Sequence, residues 1–202
     1  MEKPVDFKTM VKRLVKPGEA ILETMTPDKV NKLHMAVGLA GEVFELMECL
    51  KFDANNQAID EANLIEELGD IEFYLEGLNQ IYCPKELANL TTPTLNEQQA
   101  VDALHLIHRH AGMALDFVKK EVIYNKEDPL LHDQIKVSLC YVRYNLNVFY
   151  NHRYLTERTK ETIAKVQGAN MEKLLTGKKA RFSEGSYTDE AARLRRDKNG
   201  AY

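Results

Sequence analysis

The chain has 202 residues, of which 44% are hydrophobic and 29% are charged, and it contains only 10 glycines and 6 prolines. It is long enough to bury a core, and so few helix breakers favour helices over a strand-rich fold. The formal net charge of -4 gives no reason to expect binding to nucleic acid or to a membrane. Three scattered cysteines indicate reduced thiols, and no signal peptide or membrane-spanning run is visible, so we expect a soluble, cytoplasmic protein.

Capping residues divide the chain into helices. Thr26 precedes Pro27 and Asp128 precedes Pro129, which is typical of helix starts because proline is tolerated in the first turn. The predicted elements are a short amphipathic stretch at 4–15 and long helices at about 27–51, 58–81, 97–124, 129–152 and 157–177. No strand-like alternation stands out. We therefore predict an all-α bundle of about five main helices over 1–177 and a basic, polar C-terminal tail over 178–202.

Two consecutive helices each carry an apolar stripe that predicts a core-facing side. In the helix at 27–51 this stripe consists of Leu33, Val37, Ala40, Phe44 and Met47. In the helix at 58–81 it consists of Leu64, Leu68, Ile71, Leu75 and Leu78. The loop between the two helices is short, so we expect them to be antiparallel neighbours.

Each of these helices also carries two acids three residues apart, which places them side by side on one face. The pairs are Glu42 with Glu45, and Glu67 with Asp70. If the acidic faces meet, four carboxylates share one space, and like charges that close need a counter-charge. Oxygen-only ligands select a hard cation, so Mg²⁺ is expected, with Mn²⁺ able to substitute.

The alternative is that both pairs lie on solvated helix faces, where such spacing is common. The glycines near the pairs, Gly38, Gly41 and Gly69, weigh against it, because each costs about 1 kcal/mol relative to alanine in a helix. Close approach of another helix or of a ligand would explain them. Spacing alone leaves the two interpretations equally open.

Two segments resemble a known family more specifically. "HMAVGLAGEVFELMECLK" at 34–51 and "LIEELGDIEFYLEGL" at 64–78 resemble the MazG-like all-α nucleoside triphosphate pyrophosphohydrolases, which share an ExxE…ExxD signature. The resemblance covers 30–82 well. More loosely, "GANMEKLLTGKKARF" and "RLRRD" within 165–197 resemble the C-terminal part of longer, often phage-encoded members. Many members have a further acid where this chain has Gly41, so that position is not expected to be a ligand.

The resemblance implies Mg²⁺-dependent hydrolysis of a nucleoside or deoxynucleoside triphosphate to the monophosphate and pyrophosphate. The four acids would hold the metal, a bound water of lowered pKa would attack the α phosphorus, and Glu45 or Glu42 would act as the base. It also implies a homodimer or homotetramer in the cytoplasm of a bacterium or of a phage-infected host, and it slightly favours a purine dNTP. The competing hypothesis is a non-catalytic helical module that binds nucleotide or metal.

Further residues are candidates for contacts with the nucleotide or its phosphates. They are His34, Lys120, Asn170, Lys173 and Arg181. For each, a helix-surface or structural role is the alternative, and the C-terminal tail is expected to close over the bound nucleotide. Three histidines (His105, His108, His110) are interpreted as structural or surface residues, and three acids (Glu48, Glu66, Glu72) as solvated. The tyrosines of the helix at 129–152 (Tyr141, Tyr144, Tyr150) are expected in the core rather than against a base.

Overall fold

The computed structural model describes residues 6–49, 61–82, 97–150 and 159–175, and every regular element in these ranges is an α-helix. The helices are α1 (Phe7–Leu14), α2 (Gly18–Leu22), α3 (Pro27–Cys49), α4 (Glu61–Tyr82), α5 (Glu97–Ile123), α6 (Pro129–Tyr150) and α7 (Thr159–Leu175). The all-α prediction is confirmed for these residues, and the five long helices lie where the sequence predicts them. The short helix α2 was not predicted. The C-terminal tail at 178–202 lies outside the described residues.

Side-chain caps begin three of the helices. The carboxylate of Asp6 accepts a hydrogen bond from the Thr9 amide at 3.0 Å and starts α1. Thr26 accepts one from the Lys29 amide at 3.3 Å at the start of α3. Asp128 accepts one from the amide of Leu130 at 2.9 Å at the start of α6. These bonds satisfy amides that have no partner within the helix, and they confirm the predicted starts of α3 and α6.

Helix α4 lies at the centre of the bundle. It packs against α3, α6 and α7, while α5 packs against α3 and α6. Its predicted apolar stripe is confirmed, because all five residues are buried: Leu64, Leu68, Ile71, Leu75 and Leu78. Their burial, together with that of matching residues on α5 and α6, supplies the main driving force for the fold. Within the described residues, no helix combines the length and the apolarity that crossing a bilayer requires.

The predicted core stripe of α3 is wrong. Val37 and Phe44 are 53% and 57% exposed, and the other three members of that stripe are half-buried. The residues of α3 that are buried are Ala36, Leu39, Val43 and Leu46. Helix α3 is apolar on both of these stripes, so its periodicity does not decide which one faces inward. Contact with α4 and α5 decides it.

Helices α3 and α4 run antiparallel in close contact, as predicted. Gly38 of α3 lies against the ring of Tyr74 of α4. At the far end of the pair, the side-chain amide of Asn63 donates to the Cys49 sulfur at 2.9 Å. A Cβ at Gly69 would lie 3.0 Å from the side chain of Asn170, so glycine also lets α7 approach α4. The expectation of close approach therefore holds for Gly38 and Gly69, whereas no described heavy atom lies within 4 Å of a Cβ built at Gly41.

Gly38→Ala is expected to lower the free energy of unfolding by about 1–3 kcal/mol, because the added methyl group would collide with the Tyr74 ring and force it to move. Gly112→Ala on α5 is the matched control. Its Cβ would enter open space, so the better helix propensity of alanine should stabilise the protein by up to about 1 kcal/mol. Urea unfolding followed by circular dichroism measures both. A Gly38→Ala variant at least as stable as the unmodified chain would contradict the contact.

Candidate metal centre

Three carboxylates from two helices meet at the interface of α3 and α4. Glu42 of α3 and Glu67 and Asp70 of α4 each offer an oxygen, and these oxygens all lie within 4.8 Å of one another. Glu67 and Asp70 share a face of α4 because they are three residues apart, and the antiparallel packing brings Glu42 opposite them. Glu67 is only 9% exposed, while Glu42 and Asp70 are half-buried. We call these three residues the metal centre because their carboxylates could hold a metal ion.

The donor set fits a hard divalent cation. Three ionised carboxylates at this separation repel one another, and burial strengthens the repulsion because less water screens it. A cation bound among them would relieve this repulsion, and a site made only of carboxylate oxygens suits ions such as Mg²⁺, Mn²⁺ or Ca²⁺ rather than Zn²⁺. The three side chains could therefore hold a metal ion.

Glu45, the fourth predicted ligand, lies outside this cluster. It follows Glu42 by one turn of α3, and its side chain is exposed. Of the two candidates for the catalytic base, Glu42 is therefore the one that the fold brings to the other acids. The roles of Glu45 as a ligand and as a base stay predictions.

Helix α7 contributes Asn170 to the same place. The side-chain amide of Asn170 donates to Asp70 Oδ1 at 2.5 Å, and the residue is 8% exposed. The glycine at position 69 makes this possible, because it lets α7 lie directly over α4. Asn170 therefore holds the Asp70 carboxylate in position. Its contact with a nucleotide stays a prediction.

The other candidates for phosphate or nucleotide contacts divide into two groups. Lys120 forms an ion pair with Asp116 at 2.6 Å on the surface of α5, which agrees with the alternative of a helix-surface role. His34 is exposed two turns before Glu42, with its ring 5.9 Å from that of Tyr74. The second group consists of Lys173 and Arg181. The side chain of Lys173 and all of Arg181 lie outside the described residues.

The prediction that Glu72 is solvated is wrong. Glu72 is 3% exposed, and its carboxylate accepts two hydrogen bonds from the guanidinium of Arg143, at 2.6 and 2.8 Å. The Tyr150 hydroxyl and the Gln167 amide donate to it as well, at 2.9 and 3.3 Å. Burial lowers the pKa of Arg143, but the Glu72 carboxylate more than compensates and the pKa is raised above its usual value. This buried ion pair and its neighbours therefore join α4, α6 and α7, two residues along α4 from Asp70.

A groove of about 520 Å³ adjoins the metal centre. Its floor is α4 from Gly69, next to the metal-centre residue Asp70, to Gln80. Met35 of α3, Phe73 of α4 and Met171 of α7 also line it. Gln80 follows Gly69 by eleven positions, so the groove follows α4 for about 16 Å. No sequence pattern predicts this groove, because its lining residues come from three helices.

The remaining histidine and tyrosine predictions are partly correct. His105 and His108 are exposed, and His110 is half-buried with its ring stacked on Tyr141 at 4.4 Å, so these are surface or structural residues. Burial and the positive charge of Arg109 lower the pKa of His110. Tyr150 is buried as expected, but Tyr141 and its neighbour on the same face, Tyr144, are 49% and 37% exposed.

Comparisons of the chain with protein-family models, with curated proteins and with solved structures each found no match.

Proposed function

We propose that this protein is a Mg²⁺-dependent (deoxy)nucleoside triphosphate pyrophosphohydrolase. The observation that supports this most strongly is the meeting of Glu42, Glu67 and Asp70 from two separate helices within 4.8 Å. These three acids occupy three of the four acidic positions of the ExxE…ExxD signature, through which the chain resembles the MazG-like family. Glu67 is buried and the other two carboxylates are half-buried, so a cation bound among them would offset their mutual repulsion.

The three acids would hold the ion, and Mg²⁺ bound there would neutralise charge on a triphosphate and activate the attacking water. The protein's own part is mainly positioning. Asn170 orients Asp70 through its hydrogen bond of 2.5 Å, and Gly69 keeps α7 close enough for that bond to form. Glu42 or Glu45 receives the proton of the water as it attacks the α phosphorus, and pyrophosphate leaves.

Lys173 and Arg181 are proposed to bind the phosphates, as the resemblance of 165–197 to longer family members implies. His34, exposed on α3 two turns before Glu42, is proposed to contact the nucleotide. Lys120 is the weakest member of this set, because its ammonium group is already paired with Asp116. The proposed substrate is a purine dNTP, in the cytoplasm of a bacterium or of a phage-infected host.

A homodimer or homotetramer is part of the same proposal. Three exposed apolar side chains, Val30, Val37 and Phe44, recur every seven residues along α3 and so lie along one side of it. Contiguous exposed apolar surface is typical of a protein–protein contact.

The decisive experiment incubates the purified protein with each of the eight common NTPs and dNTPs, with Mg²⁺ and with EDTA, and measures both pyrophosphate and nucleoside monophosphate. We expect both products in equal amounts from at least one substrate, and only with Mg²⁺. Release of orthophosphate instead would place cleavage at a different bond and contradict the proposal.

Binding assays separate the competing hypothesis. If nucleotide raises the melting temperature only when Mg²⁺ is present, yet no nucleotide yields pyrophosphate, the protein is a non-catalytic nucleotide- or metal-binding module. If neither Mg²⁺ nor nucleotide changes the melting temperature, the metal centre binds neither, and both versions of the proposal are wrong.

A further inference from the structure

Helix α1 has an apolar face that no helix of the described chain covers. Its apolar residues are spaced so that they lie together on one side: Phe7, Met10, Val11 and Leu14. Phe7 and Leu14 are 76% and 74% exposed, and no residue of α1 is buried. Among the described helices, none of the closely packed pairs includes α1. We call these four residues the α1 face.

An amphipathic helix as short as α1 needs tertiary contacts to be stable. It has eight residues, and isolated helices of fewer than about 12–15 residues are marginal in water. The Asp6 cap satisfies one amide of the first turn but buries no apolar surface. Most helical stability in proteins comes from packing of the apolar side, so the α1 face is expected to pack against a further surface.

The exposed apolar side of α3, formed by Val30, Val37 and Phe44, is not that surface within one copy. Lys16, two residues after α1, donates to the backbone oxygen of Ile123 at the end of α5 at 2.5 Å, and α2 follows before α3 begins. With α1 held there, these three residues of α3 are 52%, 53% and 57% exposed. We call them the α3 side. Each copy therefore presents two exposed apolar surfaces, the α1 face and the α3 side.

Charge favours a second copy over an anionic membrane as the partner of α1. The helix carries three cations and no acid, namely Lys8, Lys12 and Arg13. Because α1 contributes +3 to the formal net charge of -4, the residues outside α1 together carry -7. The rest of a second copy therefore attracts α1, whereas an anionic membrane would attract α1 and repel the rest of its own chain. Glu45, exposed next to Phe44, places a negative charge beside the α3 side.

Gly41 leaves room for a helix on the α3 side. It lies four residues after Val37 and three before Phe44, and no described heavy atom lies within 4 Å of a Cβ built there. Alanine at this position would give a more stable helix. Close approach of a helix from a second copy would account for a glycine here.

We propose that α1 of one copy packs through the α1 face on the α3 side of a second copy, and that the two copies exchange α1 reciprocally about a two-fold axis. Reciprocal exchange covers both apolar surfaces in both copies with one kind of contact. The inference rests on the homo-oligomer proposed above and does not depend on the reaction that the protein catalyses.

Analytical ultracentrifugation of the full chain tests the contact. We expect a dimer whose dissociation constant rises at least about tenfold in Leu14→Asp and, separately, in Phe44→Asp, because each variant places a charge where an apolar side chain was buried by the partner. Val137→Asp on α6, an apolar residue that is 53% exposed, is the matched control and should leave the dissociation constant unchanged. A monomeric unmodified chain, or a dimer that neither Leu14→Asp nor Phe44→Asp weakens, overturns the proposal.

Cross-linking shows which surfaces meet. In a chain whose three native cysteines are replaced by serine, Leu14→Cys and Val37→Cys are made separately, mixed, left to exchange subunits and treated with a short bismaleimide. We expect a dimer cross-linked between positions 14 and 37, and no corresponding product when Leu14→Cys is mixed with Val137→Cys. No product from the first mixture, or equal amounts from both, overturns the proposal.

Sedimentation with vesicles of phosphatidylcholine and phosphatidylglycerol decides the membrane alternative. If the unmodified chain is monomeric and sediments with the vesicles, and Leu14→Asp abolishes this, α1 binds a membrane and the proposal is overturned. A dimer that stays in the supernatant supports it. Pyrophosphate release is measured independently, so a monomeric chain would refute this inference and the homo-oligomer while the activity is decided by its own assay.

Discussion

Replacing Glu67 with glutamine is expected to abolish nucleotide hydrolysis while the chain remains folded. Glutamine has the same shape as glutamate but no charge, and hard cations require anionic oxygens. Glu67 is the most buried member of the metal centre, so no other side chain can take its place by a small movement. We expect kcat/KM to fall by at least about 100-fold, since even residues that only support metal ligands typically contribute about 10–100-fold.

The same substitution should abolish the response of the protein to Mg²⁺. Mg²⁺ should raise the melting temperature of the unmodified chain and have little effect on the variant. A variant that stays folded but loses both activity and the response to Mg²⁺ has lost a metal ligand, whereas loss of a purely structural residue would leave the response to Mg²⁺ in place.

Glu48→Gln is the matched control for Glu67→Gln. It removes one negative charge from an exposed position on α3 outside the three-carboxylate cluster. Its activity and its response to Mg²⁺ should match those of the unmodified chain. Full activity in Glu67→Gln, or an equal loss in Glu48→Gln, would show that the three-carboxylate cluster is not the reaction centre.

Arg143→Leu is expected to destabilise the protein by about 3–5 kcal/mol, because it leaves the Glu72 carboxylate buried without its counter-charge. Domains of this kind have a total stability of about 5–15 kcal/mol, so the loss is a large fraction of the whole. Urea unfolding followed by circular dichroism measures it. The Arg109→Leu control, on the exposed side of α5, should change the free energy of unfolding by less than about 0.5 kcal/mol.

A double variant separates the charge effect from packing. Combining Glu72→Leu with Arg143→Leu removes both charges, so a substantial part of the lost stability should return. Recovery will be incomplete, because Tyr150 and Gln167 lose their acceptor. If the single Arg143→Leu variant is within about 1 kcal/mol of the unmodified chain, the Glu72 carboxylate is not buried as described.

The ion pair and the metal centre occupy the same short part of α4. Asp70 and Glu72 are two residues apart and point to different sides of the helix, one towards α3 and the metal centre, the other towards α6. Helix α7 contacts both, since Asn170 binds Asp70 and Gln167 binds Glu72. The position of α7 therefore sets the geometry of the metal centre and of the groove together.

Helix positions and the acidic pairs could be predicted from the sequence because their causes are local. Capping at Thr26 and Asp128 depends on neighbours within three residues, and the spacing of Glu67 and Asp70 determines that they share a face. The core stripe of α4 was equally readable, since that helix has one apolar side. These features depend only on residues within one helix, so they do not depend on how the rest of the chain packs.

The buried side of α3, the burial of Glu72 and the groove were decided only by the tertiary structure. Val37 and Leu39 belong to two different apolar stripes of α3. Only the packing of α4 and α5 against α3 buries Leu39 and leaves Val37 exposed. From the sequence alone, Glu72 is interpreted as a surface acid. In the structure it is buried, because Arg143, 71 residues later in the chain, packs against it. A sequence pattern records what one helix can bury, whereas burial itself depends on which partners arrive from distant parts of the chain.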